Sequence, residues 1–368
     1  SNTAIFTNPL VNPSSLQSVV LNTDITADGL TFLRSGYALS GTGTLTLDGT
    51  ATIRNSYATS STIGNIIAGT SGLNVDGGGS VKLTGANTYT GTTNIDNGTV
   101  IITGQDGLGA STDAININGS TSRAFGAGSL ILDGSAGGIT LTRDLNVRGR
   151  GPTSDRGISL VSFGDNTISS TVNVNVANNI SRMTASTGTL TFDTSSTIDT
   201  SGSTGTTSYN RYNEFGAING FKVADIVVNG AVAGDGGFLF QGGNQVHWNP
   251  NATSGFTGQF RVQNGSFQQG GMLITSAGVL GDRNATGTAS VLDINGGIVE
   301  VRMDNPTLQV NDGSNANAYF RSSATFALDN AGGLSNTTFN QTLNLGDILY
   351  EENRDFVVES RNGFGLTV

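Results

Sequence analysis

The chain carries one histidine, His247, in the run Gln245-Val-His-Trp-Asn-Pro-Asn, beside its one tryptophan, Trp248. A Ser-His-Asp hydrolase would have to use it as proton carrier, but no Gly-x-Ser-x-Gly elbow accompanies it. A histidine on the surface or in a turn is the simpler reading. Polysaccharide-cleaving solenoids need two carboxylates about 5–9.5 Å apart, or a calcium-binding acid cluster with an Arg or Lys base. The acids here are scattered, and Glu351, Glu352 and Asp355 beside Arg354 form the one dense group. A solvated end of a scaffold accounts for that group as well as a metal site does. Asp293 to Glu300 (Asp-Ile-Asn-Gly-Gly-Ile-Val-Glu) lacks the alternating acids of a calcium loop and reads as strand, turn, strand. No residue is therefore assigned to catalysis, to a metal or to a cofactor.

Recognition has a better candidate. Between Ser203 and Gly216 the regular pattern breaks, and Tyr209, Arg211, Tyr212, Glu214 and Phe215 gather in what reads as one loop. Aromatic residues with an arginine are a common recognition set. Packing of the Tyr and Phe rings onto the scaffold is the competing and stronger explanation. Two further breaks fall at Arg148 to Gly157 and at Asn311 to Phe320.

The elements that would hold such a loop are short strands. Ser-Val-Lys-Leu, Thr-Thr-Asn-Ile and Thr-Val-Ile-Ile-Thr, between Ser80 and Thr103, are β-branched runs separated by Gly, Asn and Asp. Each is too short for a helix and alternates as a strand does. The same texture runs from Leu-Thr-Phe and Tyr-Ala-Leu-Ser near the start to Asn173-Val-Asn-Val further on. Strands cluster two or three to every ~20–25 residues, the rung size of a solenoid. A narrow stacked core also fits a chain that is only 36% hydrophobic. The ordered placement of Val, Ile and Leu argues against disorder. The expected fold is all-β: a single parallel β-helix over residues 1–368 with little or no α-helix.

The pattern also returns. Ile-Ile-Ala-Gly-Thr-Ser-Gly-Leu at Ile66 is echoed by Ala-Val-Ala-Gly-Asp-Gly-Gly-Phe at Ala231, and Tyr89-Thr-Gly-Thr-Thr by Phe256-Thr-Gly-Gln-Phe. Two internally similar halves are expected, about 27–190 and 191–368.

Composition removes other classes. Glycine is 54 of 368 residues but proline only 5, which excludes collagen. The net charge is −10 and the 17 basic residues are spread singly, so nucleic acid is not expected as a partner. No apolar run reaches the ~20 residues of a membrane-spanning helix. The absence of cysteine argues against disulfide staples.

The segment Gly77 to Gly109 resembles the passenger-associated transport repeat of autotransporter-type proteins. The likeness rests on Leu83-Thr84-Gly85-Ala86-Asn87-Thr88-Tyr89-Thr90-Gly91, on Gly98, and on Leu108-Gly109. A degenerate copy spans Gly255 to Gly281, with Phe256, Gly258 and Gly265 at matching positions and Phe in place of Tyr. The resemblance implies a right-handed β-helix exported to the outer surface of a Gram-negative-type bacterium, where the repeat serves export and folding rather than catalysis. The lack of a following series of amphipathic strands suggests a passenger fragment or a barrel-free relative. A structural or adhesive role is expected, with a surface glycan or protein as partner. The alternatives are a fibre or sheath subunit, homo-oligomeric by end-to-end strand pairing, and a polysaccharide lyase or hydrolase.

Overall fold

The run Leu73-Asn-Val-Asp alternates inward apolar with outward polar residues, as do Thr93-Asn-Ile and Ile115-Asn-Ile-Asn. In the computed structural model each is a strand: Leu73–Asp76, Thr93–Ile95 and Ile115–Asn118. The structure describes residues 2–7, 16–119, 127–149, 151, 157–175, 181–203, 212–215, 224–241, 245–253, 255–263, 271–275, 292–303, 318–329, 342–344, 348–360, 363 and 365–367. Among them there is no α-helix, and the one helical turn is the 3-10 segment Gln105–Leu108. The fold is all-β, a parallel β-solenoid. Its contacts divide into two units, Ser1–Arg182 and Met183–Val368.

In the first unit one parallel sheet stacks Thr3–Phe6, Ile25–Phe32, Leu45–Asn55, Leu73–Asp76, Thr93–Ile95, Ile115–Asn118, Leu145–Arg148 and Thr171–Val174. A second stacks Gln17–Val20, Tyr37–Ser40, Ser60–Ile63, Ser80–Leu83, Gly98–Ile102, Gly128–Asp133 and Leu160–Phe163. Chain order passes between the two sheets, so consecutive strands in sequence are not partners. Each strand pairs with one about a full rung away. The inward residues stack like on like. Val75, Ile95, Ile117 and Val147 form one column, each at most 1% exposed. Burying each contributes about 1.5–3 kcal/mol relative to leaving it in water.

The second unit repeats the plan. One sheet joins Tyr212–Phe215, Gly237–Gln241, Phe260–Gln263, Leu292–Asn295, Ala318–Ser322 and Ile348–Tyr350. Another joins the end of Ser181–Phe192 to Ala224–Val228, Gln245–Trp248, Gly271–Ile274, Ile298–Arg302, Ala324–Asp329 and Phe356–Ser360. Its core is more aromatic. Phe238 lies 4.9 Å from Trp248, 5.5 Å from Phe256 and 6.1 Å from Phe260 between ring centroids, in stacked and tilted arrangements that add to area burial.

Glycine makes the tightest corners. Gly296 and Gly297 both have φ of +90°, and they turn Leu292–Asn295 into Ile298–Arg302. The strand–turn–strand reading of Asp293 to Glu300 holds. Gly77 and Gly78, with φ of +103° and +81°, make the equivalent corner before Ser80–Leu83. An L side chain is strained at such angles. One local expectation is corrected. Thr44-Leu-Thr-Leu and Ala51-Thr-Ile-Arg, which by their alternation and the Gly between them are expected to be two separate strands, form one 11-residue strand, Leu45–Asn55. Its pairing with Ile25–Phe32 survives a register shift between Ala27 and Gly29, because a bulge absorbs the extra residues without ending the ladder.

Candidate functional site

The motif residues bind rungs to one another. Asn87, 3% exposed, accepts the Ile67 N–H at 2.8 Å on one side and donates to the Gly107 carbonyl at 2.7 Å on the other. Its own N–H reaches the Asp106 carbonyl at 3.0 Å. One amide thus satisfies backbone groups on the rungs before and after it, which a buried corner requires. Asn65 does similar work one rung earlier, donating to the Gly43 carbonyl at 2.9 Å.

Tyr89 fills the core beneath this corner and is fully buried. Its hydroxyl pairs with Thr93 Oγ1 at 2.9 Å. Burial, the largest cause, pushes its pKa up to about 12, against the opposing pull of Thr93 and Arg143. Arg143 donates to the Leu108 carbonyl and, at 3.0 and 2.8 Å, to the Asp113 carbonyl. Burial lowers its pKa from the usual arginine value. Sequence reasoning passed over Arg143 because its partners lie 30 or more positions away.

The motif glycines are close-approach sites. A Cβ on Gly85 would sit 2.5 Å from the Asn65 carbonyl oxygen, and one on Gly91 2.2 Å from the Gly72 nitrogen. Gly98 and Gly109 have φ of +112° and +78°, and Leu108 is buried. In the second unit Phe256 is buried like Tyr89, and a Cβ on Gly258 would lie 2.4 Å from the Gly236 oxygen. Thr90 donates its N–H to the Gly69 carbonyl at 3.0 Å, and Thr257 donates to Gly234 at 2.9 Å. Gly265 lies outside the described residues, as do Leu280 and Gly281.

The proposed recognition residues Tyr209 and Arg211 also lie outside the described residues. Tyr212, Glu214 and Phe215 do not sit in a loop: Tyr212–Phe215 is a strand in register with Gly237 to Phe240. Four residues with no Gly or Pro among them suffice for a strand once a preformed neighbour offers its edge.

His247 stands on the strand Gln245–Trp248, with its side chain 34% exposed and Nε2 at 3.5 Å from Asp225 Oδ2. It is a surface histidine on a strand face and not in a turn. Among the described residues no three His, Cys, Asp or Glu side chains gather as a metal site, and no helix is long and apolar enough to cross a membrane.

Two polar arrays escaped the sequence reading. On the outward face of the first unit, Asn74, Asn94, Asn116, Asn146 and Asn173 form a side-chain ladder. Each Nδ2 donates to the Oδ1 of the preceding rung at 2.7 to 3.0 Å. In the second unit Asp293, with no exposed side-chain surface, accepts from Arg261 and from Arg321 Nε at 2.8 Å. Arg321 lies 4.3 Å over the Tyr319 ring, and the Tyr319 hydroxyl donates to Glu351 at 3.1 Å. That bond to Glu351 is the main reason the Tyr319 pKa is raised. Arg261 and Asp293 occupy one column of the outer sheet face, and their charges offset each other's desolvation.

A scaffold whose polar investments run from rung to rung is the class of protein that fold and side chains define. A curated protein is similar over part of the chain. Over 125 residues, 34% of this chain, the sequence is 36% identical to Adhesin BmaC autotransporter of Brucella suis biovar 1 (strain 1330). The match covers 3% of that adhesin's length. This chain is autotransporter-like over that stretch. No protein-family model matches the chain, and no solved structure does.

Proposed function

We propose that this chain is part of the surface-exposed passenger of an autotransporter-type adhesin, exported by a Gram-negative-type bacterium and without catalytic activity. The likeness to the Brucella adhesin carries the reading. The parallel rungs agree with it, as does a transport-repeat motif, Gly77 to Gly109, whose side chains serve stacking. Within the same reading, residues 27–190 and 191–368 are related halves of one continuous solenoid. The paired Thr90–Gly69 and Thr257–Gly234 bonds support that relation. Contact with a host or surface glycan or protein is assigned first to Tyr209, Arg211, Tyr212, Glu214 and Phe215, the last three of which belong to a strand of the stack.

The experiment is adhesion of beads coated with the whole chain to cultured cells and to panels of matrix proteins and glycans. Saturable binding above albumin-coated beads is expected. Alanine at the five named positions should reduce it at least several-fold while the far-ultraviolet β signal stays unchanged. Binding equal to the albumin control on every surface would remove the adhesive reading.

A further inference from the structure

The intervals between successive ladder asparagines are 20, 22, 30 and 27 residues, yet each amide meets the next. A ladder that survives such unequal rungs is not the by-product of a fixed repeat length. The burial pattern cannot by itself set the pairing. A slip of one residue turns every side chain to the wrong face, but a slip of two leaves inward residues inward. The residues two places on are Asp76, Asp96, Asn118, Arg148 and Asn175, with Asp96 and Asn175 just past their strand ends, and Asn118 Nδ2 donates to Asp96 Oδ1 at 2.6 Å. They share the outward face, so that slip turns no side chain from one face to the other, although it leaves one of the two inward columns of these short strands unmatched. What also distinguishes the registers is the outward column. Every donor in the ladder points toward the N-terminal neighbour, so each rung offers an acceptor for the next asparagine.

We propose that the strand-face amide ladder Asn74–Asn94–Asn116–Asn146–Asn173 is the register-setting device of the first unit, selecting one pairing among those the apolar pattern permits as rungs of unequal length wind onto the stack. Amide ladders of this kind are cooperative when identical side chains stack.

The chain has no cysteine, so disulfide trapping reads the register directly. Asn118 and Arg148 are native partners, and the pair Asn118→Cys/Arg148→Cys reports the native register. Asn116→Cys/Arg148→Cys reports a two-residue slip, and its change at position 116 itself breaks the ladder. Native diagonal neighbours lie about 7–8 Å apart, at or beyond the limit for a bridge of about 7 Å between Cα atoms. The whole chain is refolded and oxidised, and the trapped fraction is read by non-reducing mass spectrometry. With the ladder intact, the native pair should close almost fully. It should do so equally with Asp76→Thr, which spares the ladder. Adding Asn116→Thr, a better strand former that cannot make the amide bonds, should lower the native fraction several-fold. The slip-reporting pair should gain a disulfide. Equal trapping in the Asn116→Thr and Asp76→Thr backgrounds would overturn the proposal, and so would a slip-reporting pair that stays reduced.

Discussion

Tyr89 shows what the motif does at the residue scale. Its hydroxyl is buried, and desolvation outweighs the opposing pull of Thr93 and Arg143, so its ionised form is disfavoured in the folded chain. The pKa is about 12 folded, against the ordinary tyrosine value of 10.0. A group raised in this way holds its full stabilising contribution below the unfolded pKa and loses it as pH climbs through the folded one. The first unit should therefore weaken between about pH 10 and 12, by on the order of 3 kcal/mol. Amide hydrogen exchange of its core strands, corrected for intrinsic rates, would show this. Tyr89→Phe should flatten the pH response, and a persisting slope would assign it elsewhere. Asn87→Ala removes partners from the Ile67 N–H and the Gly107 carbonyl at once. Leaving both unpaired should cost about 2–4 kcal/mol, measurable as a shift in the urea midpoint of far-ultraviolet circular dichroism.

At the element scale the most extended polar array described differs between the two units. The first unit has its neutral amide ladder beside the ion pairs Arg54–Asp76 and Lys82–Asp133, and the second has the Arg261–Asp293–Arg321 network beside the amide pair Gln263–Gln241. Removing one member of a buried ion network leaves charge uncompensated. Asp293→Asn should thus destabilise by about 3–5 kcal/mol. Exchanging all three for apolar residues of similar volume should restore much of that loss, because the desolvation penalty disappears with the charges. Trp248, the chain's one tryptophan, is buried among Phe238, Phe240 and Phe260 in the same unit. Its fluorescence during chemical denaturation reports both variants. A triple variant as unstable as Asp293→Asn would argue that the network supplies more than charge compensation. The strand Tyr212–Phe215 carries an element-scale lesson of its own. Its aromatic and charged composition read as a recognition loop, but pairing with Gly237–Gln241 decides the backbone, since an edge with unpaired N–H and C=O groups accepts most sequences without proline.

For the whole molecule, the chain is sparse in charge and acidic, with net charge −10 and 17 basic residues spread singly along the sequence. Phosphate backbones should find no counter-charge, so neither single- nor double-stranded DNA should be retarded by the protein on a native gel at 0.15 M salt. Retardation would point to a cationic surface outside the described residues. Much of the fold was legible beforehand. Period-two alternation, glycine corners and the recurrence at Ile66 and Ala231 are local facts, and they pointed to the all-β class and to parallel stacking. Gly85, Asn87 and Gly91 were singled out only by the resemblance to a transport repeat; the close backbone approach at the two glycines and the two bonds of the Asn87 amide were seen in the structure alone. The partnerships across rungs were not readable. Alternation tells which residues face inward but not which residues of distant turns meet, and the number of residues between turns varies from 20 to 30 along the asparagine ladder. Only the stacked structure could bring Asn94 to Asn74, Arg143 to Leu108, or two arginines to Asp293, because those contacts depend on register, and register is fixed when the rungs pack.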